Sequence, residues 1–223
     1  MTSIAYKQPH GWSKLDKYRG CPQQFKYVYI DKLKEPESKA LTHGSEVHGG
    51  LETYLNGWGK TMPDGVLKVW HKRIDKLKER HDVKTEAAWG VTRDWLPLSN
   101  WLHPDCWIRA KSDFFYFDGD TLVLGDFKTG QYRVPSDDQI ELYAVIGHAM
   151  FPLVKNVRAS FWFVEQAVDP LELLYTDKQL INLRGKFTQE FIKMEKERKW
   201  APTPSNKCKW CTFSRQKNGP CKY

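Results

Sequence analysis

The sequence predicts an α/β protein: a mixed central sheet flanked by helices, with a metal or cluster site in a cysteine-rich C-terminal segment. Three observations lead there. Runs rich in β-branched and aromatic residues recur at 108–128 and 156–166. Segments with helical periodicity stand before, between and after them. Of five cysteines, three lie within the last sixteen residues, at 208, 211 and 221.

Taken in order, Ser13 is the expected cap of a short helix that ends near Gly20. "HGSEVHGGLETYLNGW" reads as a helix from about Ser45 to Asn56, and "DGVLKVWHKRIDKLKERH" as a second, amphipathic one. Trp89, Trp95, Trp101 and Trp107 fall six apart, which a single strand would put on one face. Pro97, Asn100 and Pro104 interrupt such a strand, so the expectation is one strand near 86–93 and then a loop with packed indoles. "WIRAKSDFFYFDGDTLVLGDFKTG" is the clearest hairpin, two β-prone runs around Asp118-Gly119. "SDDQIELYAVIGHAMF" is a helix, "NVRASFWFVEQ" a strand and "LELLYTD" a further one. A long helix runs from about Asp177 to Lys199, and "APTP" breaks the chain before the cysteines. The expected organisation is one domain over 1–223: helices in 12–60, a sheet with its helix in 86–167, and the cysteine segment in 200–223.

Composition narrows the class. No run of about 18 apolar residues predicts a membrane span, so no membrane partner is expected. "MTSIAYKQPHGWSKL" lacks the apolar centre of a signal peptide, so a soluble, cytoplasmic protein is expected, in a bacterium or a phage-infected host. An odd cysteine count without a leader argues against a disulfide framework. The net charge is +8, and Arg184–Tyr223 alone holds eleven Lys/Arg against three Glu. A basic end on a neutral body suits a polyanion such as nucleic acid; a solvated lysine-rich helix has the same composition.

The hairpin raises the chemical question, because "LVLGDFKTG" sets an acid and a base into an apolar strand. Burying charge is costly unless it is paired or holds a metal. With Asp118-Gly119 as the two-residue turn, Phe117 pairs with Asp120. Asp113 and Asp126 are then diagonal neighbours about 7–8 Å apart, sharing a face with Lys128. Two carboxylates at that separation can close around one hard cation such as Mg²⁺ or Mn²⁺. An edge hairpin with solvated charges accounts for the same residues, and the register changes if the turn moves by one position.

These residues resemble a known pattern. "SD(x12)DFK" is similar to the D…(D/E)-x-K core of the PD-(D/E)XK nuclease superfamily. "GSEVHGGLETYL" resembles the G-x-x-x-H helix of its RecB-like branch, "GDFKTGQ" the D-[YF]-K-T-G signature, and "DQIELYAV" the Q-x-x-x-Y helix. "SKLDKYRGCPQQFKY" resembles the S-x-L-x-x-Y-x-x-C-P start of members that carry an iron–sulfur cluster, among them AddB-type, CRISPR-associated and phage exonucleases. The likeness spans residues 12 to 221. It departs from the pattern at Ser112, where the proline of the name would stand, and in the nine residues between Cys211 and Cys221.

The resemblance implies a restriction-endonuclease-like core and a Mg²⁺- or Mn²⁺-dependent deoxyribonuclease, an exonuclease of recombination, repair or phage DNA processing. His48, Asp113, Asp126 and the Phe127 carbonyl would hold the metal. Asp113, Asp126 and Lys128 would be catalytic, the lysine steadying a water or the developing charge. Gln139 and Tyr143 would contact substrate, although Ser136-x-x-Gln139 also reads as a capping box and Tyr143 as core. Cys21 would join Cys208, Cys211 and Cys221 around a [4Fe–4S] cluster and tie the two chain ends together, where spacing alone favours Zn²⁺. Cys106 reads as a packed thiol. The expected partners are DNA, single-stranded or with free ends, and a helicase or recombination protein. The competing readings are a non-cleaving nucleic-acid-binding module and a zinc-stabilised interaction protein. Trp200, Trp210 and Phe213 among the tail's cations would stack on unpaired bases or shield the cluster.

Overall fold

The structure, a computed structural model, describes residues 9–131 and 136–223. The chain divides into two compact units. One comprises Met1–Glu37 with Lys186–Tyr223, the other Ser38–Gly185. Among the described residues, no helix is long and apolar enough to cross a membrane.

The Ser38–Gly185 unit is a mixed α/β structure built on a five-stranded sheet. Its strands are β1 (Lys84–Val91), β2 (Ile108–Asp118), β3 (Thr121–Lys128), β4 (Asn156–Phe163) and β5 (Leu171–Thr176), in spatial order β1-β2-β3-β4-β5. All neighbours are antiparallel except β3 and β4, which run parallel. A parallel pair needs a crossover, and the helix between them in the chain (Asp137–Met150, α5 below) is of the usual kind.

Helices α3 (Lys39–Leu55) and α4 (Lys68–Lys78) cover one face of the sheet. α3 begins six residues before the expected Ser45, because Ser38 caps it by accepting a hydrogen bond from the Leu41 amide at 3.2 Å. Val47, Leu51 and Leu55 recur at helical spacing, and with Trp70, Ile74 and Leu77 of α4 they pack on Phe114 and Phe127. Each large side chain fully buried there stabilises the fold by roughly 1.5–3 kcal/mol. On the opposite face lies α5 (Asp137–Met150), whose Leu142 and Ala144–Ala149 are all buried. Gly147 lets this helix approach closely: a Cβ there would meet Leu122, Leu124 and Trp89. Between these layers the sheet carries two buried acids, Asp113 and Asp126.

The hairpin forms as expected but turns one residue later. Asp118 pairs with Thr121 and Phe114 with Gly125, so the loop is Gly119-Asp120. Gly119 leads it with φ 60°, a value that glycine adopts without a steric penalty. Continued by one step, this register sets Asp113 opposite Asp126 rather than diagonal to it. The strand near 86–93 is found at Lys84–Val91, and the following loop packs its indoles, with Trp95 and Trp107 edge to face at 6.2 Å. Cys106 is buried there and donates to the Ile108 carbonyl, the packed thiol expected.

The other unit holds α1 (Trp12–Gly20), α2 (Pro22–Tyr29) and the later part of α6 (Asp177–Lys196). Short 3₁₀ turns follow at Asn206–Trp210 and Arg215–Lys217. Gly11 rather than Ser13 precedes the first helix, without a side-chain cap. Phe25 stacks on Trp200 at 5.5 Å, and Tyr27 packs on Phe213 at 5.3 Å. Trp200 and Phe213 are buried in these contacts, which rules out base stacking by those two; Trp210 is exposed.

Candidate active site

Four elements of the Ser38–Gly185 unit converge on one place. α3 brings His48, the β2–β3 pair brings Asp113, Asp126 and Lys128, and α5 brings Gln139. His48 follows Val47 on its helix, so burying the apolar stripe leaves the imidazole at the rim beside the sheet. Its Nδ1 stands 3.1 Å from Asp113 Oδ1. Asp113 Oδ2 accepts a hydrogen bond from the Phe127 amide at 2.5 Å, which fixes the carboxylate's rotation. Asp126 Oδ2 is 2.6 Å from Lys128 Nζ. That ammonium also donates to Gln139 Oε1 at 3.3 Å and lies 4.7 Å from the Phe161 ring centroid.

The electrostatics are those of a centre short of positive charge. Asp113 and Asp126 are both buried, at 8% and 7% exposure. Burial pushes the Asp126 carboxyl up to about 6, against the pull of Lys128 and with the charge of Asp113 adding to it. For His48, burial works against the imidazolium, but the hydrogen bond and charge of Asp113 and the charge of Asp126 prevail and raise its pKa. Burying two carboxylates costs several kcal/mol per ion unless positive charge offsets it.

One member of the centre had no sequence signature. Ligand atoms of His48, Glu86 and Asp113 all lie within 4.8 Å of one another. Asp126, expected in that set, stands outside it and is paired with Lys128 instead. Glu86 lies on β1 between the pairs Thr85–Phe114 and Ala87–Ser112, in register with Asp113. Its φ of 51° is left-handed, a conformation costing a non-glycine residue about 1–2 kcal/mol. An imidazole and carboxylate oxygens form a donor set that fits a hard divalent cation.

Gln139 and Tyr143 are one helical turn apart, and the glutamine Nε2 donates to the tyrosine Oη at 3.4 Å. Ser136 caps α5 by accepting from the Asp138 amide, while the Gln139 side chain turns to Lys128 rather than back to the cap. The capping-box role is therefore not the one Gln139 plays. Burial raises the Tyr143 pKa, with the charge of Asp126 adding to it, so the phenol stays protonated.

The sequence family described as the PD-(D/E)XK nuclease superfamily matches residues 12–103 and 68–216. The chain belongs to the PD-(D/E)XK nuclease superfamily. Its five-stranded mixed sheet flanked by helices is consistent with a PD-(D/E)XK core, and membership implies a metal-dependent nuclease. A solved structure of a candidate exonuclease from Eubacterium rectale is similar at 14% identity and a TM-score of 0.50, covering 95% of this chain and 88% of the other. The protein SSO0001 is similar at 14% identity and a TM-score of 0.48, covering 99% of this chain and 89% of that one. No curated protein sequence matches.

In the other unit of this PD-(D/E)XK nuclease, Cys21, Cys208, Cys211 and Cys221 line one cavity of about 470 Å³, with Trp12, Tyr27 and Phe213 among its walls. All four are free thiols. Burial pushes the Cys211 thiol up, and the charges of Cys21, Cys221 and Cys208 act in the same direction. Among the described residues, no three cysteine sulfurs lie within 4.8 Å of one another, so the thiols do not form a compact metal cluster here.

Proposed function

We propose that the protein is a Mg²⁺- or Mn²⁺-dependent deoxyribonuclease, most simply an exonuclease, acting in DNA recombination, repair or phage DNA processing. The observation that carries this is the convergence of His48, Asp113, Asp126 and Lys128 on one buried, acid-rich place. His48, Asp113 and Asp126 would hold the cation, with the Phe127 carbonyl as a further ligand; Asp126, outside the His48–Glu86–Asp113 group, would offer it the oxygen that does not face Lys128. When bound, the cation supplies Lewis acidity to a phosphoryl oxygen and acidifies a water. Lys128 presents its ammonium to the negative charge that develops on the phosphoryl group. Asp126 holds that ammonium from one side and Gln139 from the other. Asp113, locked by the Phe127 amide, orients the His48 imidazole.

DNA as the substrate is supported by charge. Lys193, Lys196, Arg198 and Lys199 line a surface depression of about 610 Å³ with Tyr18 and Gln189. The acids of that segment are used internally. Glu190 holds Arg19 at 2.7 Å, Glu195 holds His10 at 2.9 Å, and Glu197 accepts the amides of Arg198, Lys199 and Trp200. The lysines therefore keep a surplus suited to a phosphate backbone, and salt should weaken binding steeply.

For the cysteine cavity the proposal is a [4Fe–4S] cluster. Thiolates on one zinc at about 2.3 Å stand roughly 3.8 Å apart; no three of these sulfurs lie within 4.8 Å of one another, and the cavity of about 470 Å³ leaves room for a larger group.

Cleavage of end-labelled DNA in Mn²⁺ tests the reading. The wild type is expected to cut and Asp126→Ala to fail; equal cleavage removes the catalytic claim. Binding without cleavage by the wild type would favour a module that holds DNA ends.

A further inference from the structure

One charged pair at the centre has no part in the reaction outlined above. Glu86 contributes an oxygen to the group shared with His48 and Asp113. Its Oε2 is also paired with the ammonium of Lys111. An ordinary cross-strand ion pair between β1 and β2 needs only extended backbone. Here the glutamate sits at φ 51°, with its carboxylate in reach of the imidazole and of Asp113.

The two partners differ in freedom. The Glu86 side chain is 15% exposed and the Lys111 side chain 48%. Lysine ends in a compact ammonium on a flexible four-carbon stem, so it can swing into water, whereas the glutamate is enclosed. An ammonium on a ligand oxygen repels a divalent cation approaching the same carboxylate. We propose that Glu86 is a further ligand to the divalent cation of this centre and that Lys111 is its exchangeable counter-ion. Lys111 holds the carboxylate while the cation is absent and yields it when the cation arrives. This rests on the reading of His48, Asp113 and Asp126 as a cation centre, which a separate arm of the test addresses.

The experiment is a Mn²⁺ titration of the full chain without DNA, following the paramagnetic resonance of the unbound ion, with circular dichroism to verify folding. Glu86→Gln is expected to weaken Mn²⁺ binding by about tenfold or more. Lys111→Met is expected to tighten it by roughly two- to fivefold, because a competitor is removed. If Glu86→Gln fails to fold, Glu86→Asp, which keeps the charge and shortens the reach, takes its place: weakened binding supports the ligand role and wild-type affinity overturns it. Wild-type affinity in Glu86→Gln beside weakened binding in Asp113→Asn overturns the role of Glu86 and leaves the centre standing. Wild-type affinity in both variants overturns the centre and the proposal together. Unchanged or weaker binding in Lys111→Met overturns the exchange.

Discussion

The amide oxygen of Gln139 stands 3.3 Å from Nζ of Lys128, while the amide nitrogen of the same side chain donates to Tyr143. The second contact decides the first. With its nitrogen committed to the phenol, the amide can present only its acceptor to the ammonium. A substrate-contacting role for this pair predicts a higher KM on mutation; a lysine-positioning role predicts a lower kcat. We expect Gln139→Ala to lower kcat about 10- to 100-fold with KM changed by less than about threefold, and Tyr143→Phe to do the same more weakly. Steady-state kinetics on one oligonucleotide separates the two, and a loss confined to KM would refute positioning.

Gly125 on β3 faces Phe114 on β2, and a Cβ at that glycine would overlap the phenyl ring. Gly125→Ala should therefore destabilise the fold by about 2–3 kcal/mol. Adding Phe114→Leu should recover part of the loss, since the two changes share one volume. Urea midpoints of the single and double variants measure this; additive losses would contradict it.

His148 is buried at the end of α5, with Arg184 at 2.8 Å from Nδ1 and Asp177 at 3.0 Å from Nε2. Burial, and then the charge of Arg184, lower its pKa below the usual 6.5, against the pull of Asp177 and of the Val154 backbone. The folded protein thus holds this proton less readily than the unfolded chain. The stabilisation is complete above the ordinary value and is lost as pH falls through the lowered one. Compared with His148→Gln, the wild type should lose stability more steeply below about pH 6.5. Denaturation midpoints from pH 5 to 8 read the difference, and parallel curves would remove the claim.

The thiols give a contrast within one chain. Cys21→Ser and Cys208→Ser should each abolish the brown colour expected of anaerobically purified protein, whereas Cys106→Ser should keep it. Colourless wild-type protein with bound zinc would overturn the cluster proposal.

What could be read from the chain depended on how local the cause was. The Asp126-x-Lys128 pair and its hairpin were legible because period-two patterning and an Asp-Gly turn act over a few residues. The turn itself settled on Gly119-Asp120, because glycine is needed where φ is positive, and that one-residue shift brought Asp113 opposite Asp126. The start of α3 was misplaced because Thr42 and Gly44 are poor helix formers, which concealed a cap at Ser38. Glu86 was illegible: "TEAA" reads as plain strand, and its place beside His48 and Asp113 comes from pairing with β2 and from a backbone angle that no local pattern encodes. Gln139 reads from sequence both as a capping residue and as a substrate contact, because its partner Lys128 lies in a different element.

Because the cysteine-lined cavity draws its walls from residues 12–27 and 202–223, while residues 38–185 form a unit of their own, synthesis imposes an order on assembly. A translating ribosome releases the residues of the candidate site, His48 to Tyr143, before Cys208 exists. Cys21 emerges early and waits for Cys208, Cys211 and Cys221, which follow the whole 38–185 unit in the chain. A group held by all four thiols would therefore be acquired only after the 38–185 unit has been made, as a step separate from the folding of that unit.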